Sequence, residues 1–129
     1  MRYTISQAAK KMHLTPFTIR YYDKEGILLL HRTEKGARYF TESDMEQLEM
    51  VCCLKSTGMP VKEIKKYFDL CALGDGTLEQ RREIFTLHRD HILEEIDQLQ
   101  KNLAKIERKI QKYDRFVREN QEKAAEAKA

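Results

Sequence analysis

No apolar run in the 129-residue chain approaches the length of a membrane span, which excludes a transmembrane helix. The opening stretch MRYTISQAAKK has no apolar segment of the kind that a signal peptide carries. Cysteine is scarce. Three thiols, Cys52, Cys53 and Cys71, in a chain without an export signal are expected to stay reduced, as in a cytoplasmic protein. There is no glycine-rich phosphate loop, no nucleophile motif and no cluster of ligands at metal spacing. An enzyme therefore finds no support, and no cofactor is expected.

What is present is charge and periodicity. With 35% charged and 41% hydrophobic residues the chain reads as soluble and folded. The net charge of +3 is unevenly spread. Residues 1–40 hold eight Lys and Arg against three acids, a balance of +5, while residues 41–129 stand at −2. A small basic head on a near-neutral body suits a polyanionic partner.

Start and stop signals divide the head. TISQAAKKM reads as a helix capped by Thr4, with Gln7 at capping-box spacing. Thr15 followed by Pro16 is a second start, and this helix should run from Pro16 to Lys24 and stop near Gly26. Two short helices joined by about three residues are a helix-turn-helix. A turn at Lys35-Gly36 predicts a small hairpin between Leu30 and Tyr39. Thr41 or Ser43 should cap a third helix that ends at Gly58, and Pro60 should open a fourth. Thr77 and Gln80 have the spacing of another capping box, ahead of one long helix.

In that helix Ile92, Ile96, Leu99, Leu103, Ile106, Ile110, Tyr113 and Val117 recur at alternating spacings of 4 and 3. This is a heptad seam, and a second copy of the chain is its natural cover, so a homodimer is expected. The competing arrangement folds the helix back on its own head. The fold class is thus mainly α: a winged helix-turn-helix DNA-binding head followed by a long dimerising coiled-coil helix. We place the head at residues 1–70, a linker turn at 71–79, the coiled coil at 80–118 and a frayed polar tail at 119–129.

A basic helix-turn-helix with a hairpin and a dimer-forming helix is a design for double-stranded DNA. The second helix offers Thr15, Thr18, Arg20 and Tyr21 to the major groove, and the hairpin offers Arg32, Lys35, Arg38 and Tyr39 to the backbone. Phe17 and Ile19 read as core, and one of the neighbours Tyr21 and Tyr22 should pack while the other faces DNA.

The stretches YTISQAAKKMHLTPFTIRYYDKEGIL, KGARYFTESDMEQL and LKSTGMPVKEIKKY resemble the MerR family of bacterial transcriptional regulators over nearly the whole chain. One departure is Ala37, where the family often has an aromatic residue beside the hairpin glycine. The resemblance implies a cytoplasmic, nucleoid-associated bacterial protein. Its dimer would bind a promoter whose two polymerase-recognition elements are too far apart. On an effector's signal it would bend and untwist that DNA, so that RNA polymerase is reached indirectly, through the promoter.

The effector is expected to act on a thiol or in a small site between head and coil, with Tyr67, Phe68 and Phe85 as candidate pocket lining. An effector-free architectural protein that bends DNA is a further alternative, and so is a coiled-coil adaptor. A Cys52–Cys53 disulfide is disfavoured, because adjacent α-carbons lie only about 3.8 Å apart. Metal-sensing relatives place a cysteine after the long helix, and none follows Cys71 here, so no metal site is expected. His88 and His91, three residues apart, read as surface or seam residues rather than a metal pair. CCLKSTGM and LCALGDGT resemble the aldehyde- and electrophile-responsive subgroup. On that match Cys52 is the candidate sensor thiol, with Lys55 placed to favour its thiolate, and Cys53 and Cys71 are packing residues.

Overall fold

The computed structural model describes residues 2–28 and 31–128. Two compact units divide the chain, residues 1–88 and residues 89–129. The long helix crosses this division, and its residues up to His88 fall in the first unit.

Strand β1 (Tyr3–Thr4) leads directly into helix α1 (Ile5–Met12). The capping box forms as its spacing predicts: Gln7 N donates to Thr4 Oγ1 at 3.1 Å, and Thr4 N donates to Gln7 Oε1 at 2.8 Å. His13 ends α1 in the left-handed conformation, at φ 56°, and Leu14 N bonds back to Ala9 O at 2.8 Å. Helix α2 (Pro16–Lys24) follows after a turn of three residues, with Thr15 as cap and the proline in its first turn. Ala8 and Ala9 are small and buried, so α1 and α2 can pack closely.

The hairpin is present as strands β2 (His31–Arg32) and β3 (Arg38–Phe40), turned at Gly36 with φ 82°. Its expected start at Leu30 lies outside the described residues. β3 is the middle of three antiparallel strands, in the order β1-β3-β2. Tyr3 pairs with Phe40 on one side, and His31 pairs with Tyr39 on the other. The strand β1 was not expected from the sequence.

Helix α3 (Glu42–Ser56) is capped by Thr41 in a box with Asp44. Helix α4 (Val61–Ala72) starts after Pro60, which stands at the cap position. Ile19 and Tyr22 from α2, Phe40 from β3, Leu48 and Val51 from α3 and Ile64 from α4 meet in one core.

A single 3₁₀ turn (Asp75–Thr77) then passes into α5 (Leu78–Lys128). The Thr77–Gln80 capping box is replaced by another arrangement. The Thr77 hydroxyl donates to Leu70 O (2.7 Å) and Gly74 O (2.8 Å), and it accepts from Arg81 Nε at 3.1 Å. Thr77 is buried, so its hydroxyl closes the turn against the end of α4 rather than capping α5. Helix α5 continues through residues 119–128, where a frayed tail was expected. Ala, Glu, Gln and Lys dominate there, and all are strong helix formers.

Within the second unit the seam is laid bare. Ile96, Leu99, Leu103, Ile106, Ile110, Tyr113 and Val117 are all exposed in the single chain, from 45% at Ile96 to 67% at Leu99. Ile92, at the start of the seam, is half-buried.

Candidate nucleic-acid interface

Helix α2 has two faces. Ile19 and Tyr22 are locked into the core, which fixes the rotation of the helix. That rotation leaves Phe17, Arg20, Tyr21 and Lys24 exposed, at the spacing that defines one helical face. Of the neighbouring tyrosines, Tyr22 packs and Tyr21 stands out, as the alternation requires. Phe17 corrects the sequence reading: it is 78% exposed, not core. Lys24 was overlooked as a member of the face, although the spacing from Phe17 would have found it.

Thr15 and Thr18 are bonded to each other at the start of α2. Thr15 Oγ1 accepts from Thr18 N at 3.2 Å and lies 2.9 Å from Thr18 Oγ1. Their first task is to begin the helix.

The hairpin residues divide in the same way. Lys35 is exposed at the tip, and Ala37 beside it is exposed too. Arg32 is exposed, donates to Gly36 O at 3.4 Å and lies 3.9 Å from Asp23. Arg38 is half-buried, with its Nε 2.9 Å from the Asp23 carboxylate. Its N–H is not aimed at that oxygen, so the contact is an ion pair without hydrogen-bond alignment. Asp23 belongs to α2, so Arg38 ties the wing to the helix that carries Arg20 and Tyr21.

Tyr39 is also occupied: its ring stacks on His31 at 5.3 Å, and the Arg2 guanidinium lies 4.2 Å from its centroid. His31 Nδ1 in turn lies 2.7 Å from the buried Asp44 carboxylate, which also accepts from Thr41 N at 2.9 Å. One carboxylate thus caps α3 and pins β2. Arg38 and Tyr39, grouped with DNA contacts in the sequence, are built into the head's framework, and Arg2 was not foreseen at all.

The thiols also differ from expectation. Cys52 is half-buried against the core. Burial pushes its thiol above the ordinary value of 9.0, and the Glu49 carboxylate adds to the shift. The balance is opposite to the one expected from Lys55. Cys53 is exposed rather than packed, because it lies further round α3. Cys71 is half-buried, with Arg81 Nη1 3.9 Å from its sulfur. Burial, then a hydrogen bond to Cys71, raises the Tyr67 hydroxyl.

At neutral pH iodoacetamide should label Cys53 well before Cys52, and Cys52 labelling should still be accelerating as pH rises past 9.0, where an ordinary thiol levels off. Mass spectrometry of timed samples reads both rates. Equal rates at neutral pH would contradict the placement.

Tyr67 meets Phe68 and Phe85 edge-on, at 5.1 and 4.9 Å between centroids. These rings pack on one another, and Phe68 and Phe85 also pack on the core. His88 Nε2 lies 2.8 Å from Thr57 Oγ1, and His91 Nε2 lies 3.0 Å from Glu95 Oε1.

Comparison with known proteins gives two family matches: "MerR HTH family regulatory protein" over residues 3–71, and "MerR, DNA binding" over residues 45–109. An uncharacterized HTH-type transcriptional regulator of Haemophilus influenzae is 37% identical over 116 residues, which cover 89% of this chain and 86% of that one. Among solved structures, HiNmlR, a MerR family regulator lacking the sensor domain and bound to promoter DNA, superposes with a TM-score of 0.84 at 37% identity. That match covers 89% of this chain and 92% of HiNmlR. A MerR family regulator from Bacillus thuringiensis gives a TM-score of 0.79 at 46% identity, over 87% of this chain and 99% of the other.

Proposed function

Because the chain belongs to the MerR family of transcriptional regulators, we propose that it works as a homodimer which binds promoter DNA and, on an effector's signal, bends and untwists it. The observation that carries this reading is the exposed face of α2, where Arg20, Tyr21 and Lys24 stand out from a helix anchored by Ile19 and Tyr22. The binding of HiNmlR to promoter DNA supports it.

In this reading α2 enters the major groove. Arg20 and Tyr21 reach base edges or the adjoining phosphates, and Thr15 and Thr18 hold the leading end of the helix against the backbone. Lys35 and Arg32 lie along neighbouring phosphates. Arg38 contributes by tying the wing to α2 through Asp23, and Tyr39 by stacking on His31 within the wing. Residues 1–70 form the DNA-binding head, 71–79 the connection and 80–118 the coiled coil. Ile92, Ile96, Leu99, Leu103, Ile106, Ile110 and Tyr113 form the seam against a second copy. The spacing between the two heads then sets the spacing of the half-sites. Regulation acts on the energy of deforming the base pairs between them. RNA polymerase meets the regulator through the realigned promoter.

The effector in this reading is an electrophile that modifies a thiol, and Cys52 is its target. A group added to Cys52 enlarges a side chain that packs on the core, and overpacking there displaces α3. An adduct on the exposed Cys53 would project into solvent. The raised thiol pKa of Cys52 leaves little thiolate at neutral pH and slows its reaction with any electrophile.

Transcription in vitro from promoters that differ only in spacer length tests the mechanism. Modified protein should raise transcription from the long-spacer promoter and leave one of ordinary spacing unchanged or lower. Equal activation of both would favour simple recruitment of polymerase.

A further inference from the structure

Phe17 has no role in the fold that requires an aromatic ring. It is 78% exposed, more than any other large apolar side chain among the described residues. It is the second residue of α2, and Ile19, which anchors that helix, lies about 200° away around the axis. Replacing it with a polar residue would remove no core contact.

The neighbours say what the ring faces. Arg20 and Tyr21 follow one turn later on the same face, Lys24 lies beyond them, and Thr15 caps the helix beside it. The residues that share this face supply positive charge and hydrogen-bonding groups, with no acid among them. An apolar ring set among cations suits a polyanion that also presents an apolar group. In the major groove the base edges offer one such group, the C5-methyl of thymine.

We propose that Phe17 is a specificity-determining residue that packs against a thymine methyl group, one or two base steps from the position read by Arg20. Neighbours at i and i+3 lie about 5–6 Å apart at Cβ, against about 3.4 Å between bases along a strand, so the two side chains address adjacent or next-but-one base pairs. The inference rests on the DNA-binding reading above. It goes beyond it by naming the base and the chemical group that are read.

Removing one methyl group from the DNA tests this without touching the protein. The full chain first selects its operator from a randomised duplex pool. Each thymine of that operator is then replaced in turn by deoxyuridine, which pairs identically but lacks the methyl. Fluorescence anisotropy gives the affinity of wild type, Phe17→Ala and Arg20→Ala for each duplex.

One thymine per half-site should stand out. Its replacement should weaken wild type by about fourfold per half-site, or roughly fifteenfold when both are replaced, the value of one buried methyl group taken once and twice. Phe17→Ala should bind the thymine operator more weakly and show no difference between thymine and deoxyuridine. Arg20→Ala should weaken binding while keeping that difference.

Wild-type indifference to every deoxyuridine, or a thymine preference retained by Phe17→Ala, overturns the inference and leaves the DNA-binding reading intact. If Phe17→Ala binds both duplexes like wild type but no longer activates transcription, the ring faces a protein, and the inference also fails. If wild type selects no sequence and binds no promoter duplex, the DNA-binding reading itself fails.

Discussion

Replacing Leu103 and Ile106 together by lysine should convert the dimer to a monomer and lower affinity for a two-half-site promoter by about 10²–10⁴-fold, because binding by two linked heads gives way to binding by one. Both residues lie in the middle of the seam and are more than half exposed in the single chain, at 53% and 57%. Both belong to the second compact unit, so the head should keep its fold. In a coiled coil each would be a knob in a hole of the facing helix, where two ammonium groups per chain cannot stay hydrated. Sedimentation velocity reads the assembly state, and anisotropy with promoter DNA reads the affinity. Ala104→Lys, placed off the seam in the heptad, serves as control and should leave both unchanged. A double variant that remains dimeric would show that the seam is not the interface.

The second large effect concerns the head itself. Phe40→Ala should destabilise the head by about 3–5 kcal/mol, the range for truncating a fully buried aromatic residue. Phe40 is completely buried and sits on the middle strand of the sheet. Its ring fills the space between the sheet and the helices, so a cavity there loosens the wing and α2 together. A loss of this size approaches the whole stability of a small domain. Urea denaturation followed by circular dichroism should therefore show the head unfolding at much lower denaturant, and the helical signal of residues 89–128 should persist in a separate transition. A loss below about 1 kcal/mol would mean that the core refills the site.

Local chemistry was readable and distant pairing was not. Thr4 with Gln7, Thr15 with Pro16, and Thr41 announce helix starts because a cap bonds to residues two or three positions ahead. The seam of α5 could be counted from spacing alone. The strand Tyr3–Thr4 could not, because two residues carry no periodicity and their partner lies at Tyr39–Phe40. Arg38 illustrates the same limit in the site. A basic residue two positions after a hairpin glycine reads as a phosphate ligand, and nothing nearby in the sequence reveals that Asp23, fifteen positions earlier, pairs with it. Phe17 failed for the opposite reason: composition says an aromatic residue belongs inside, but the rotation of α2 is set by Ile19 and Tyr22. The thiol pair needed burial and the Glu49 charge, neither of which neighbouring letters reveal.

The central claim is that the exposed face of α2 and the wing bind promoter DNA as a dimer. The most direct measurement is a mobility shift of the purified protein on the DNA upstream of its own gene, repeated across a range of salt concentrations. The account predicts one dimer per duplex, with affinity that falls by orders of magnitude as salt rises from about 50 to 200 mM. A protein that is dimeric in solution yet shifts neither this DNA nor any selected duplex, at any salt concentration, would contradict it.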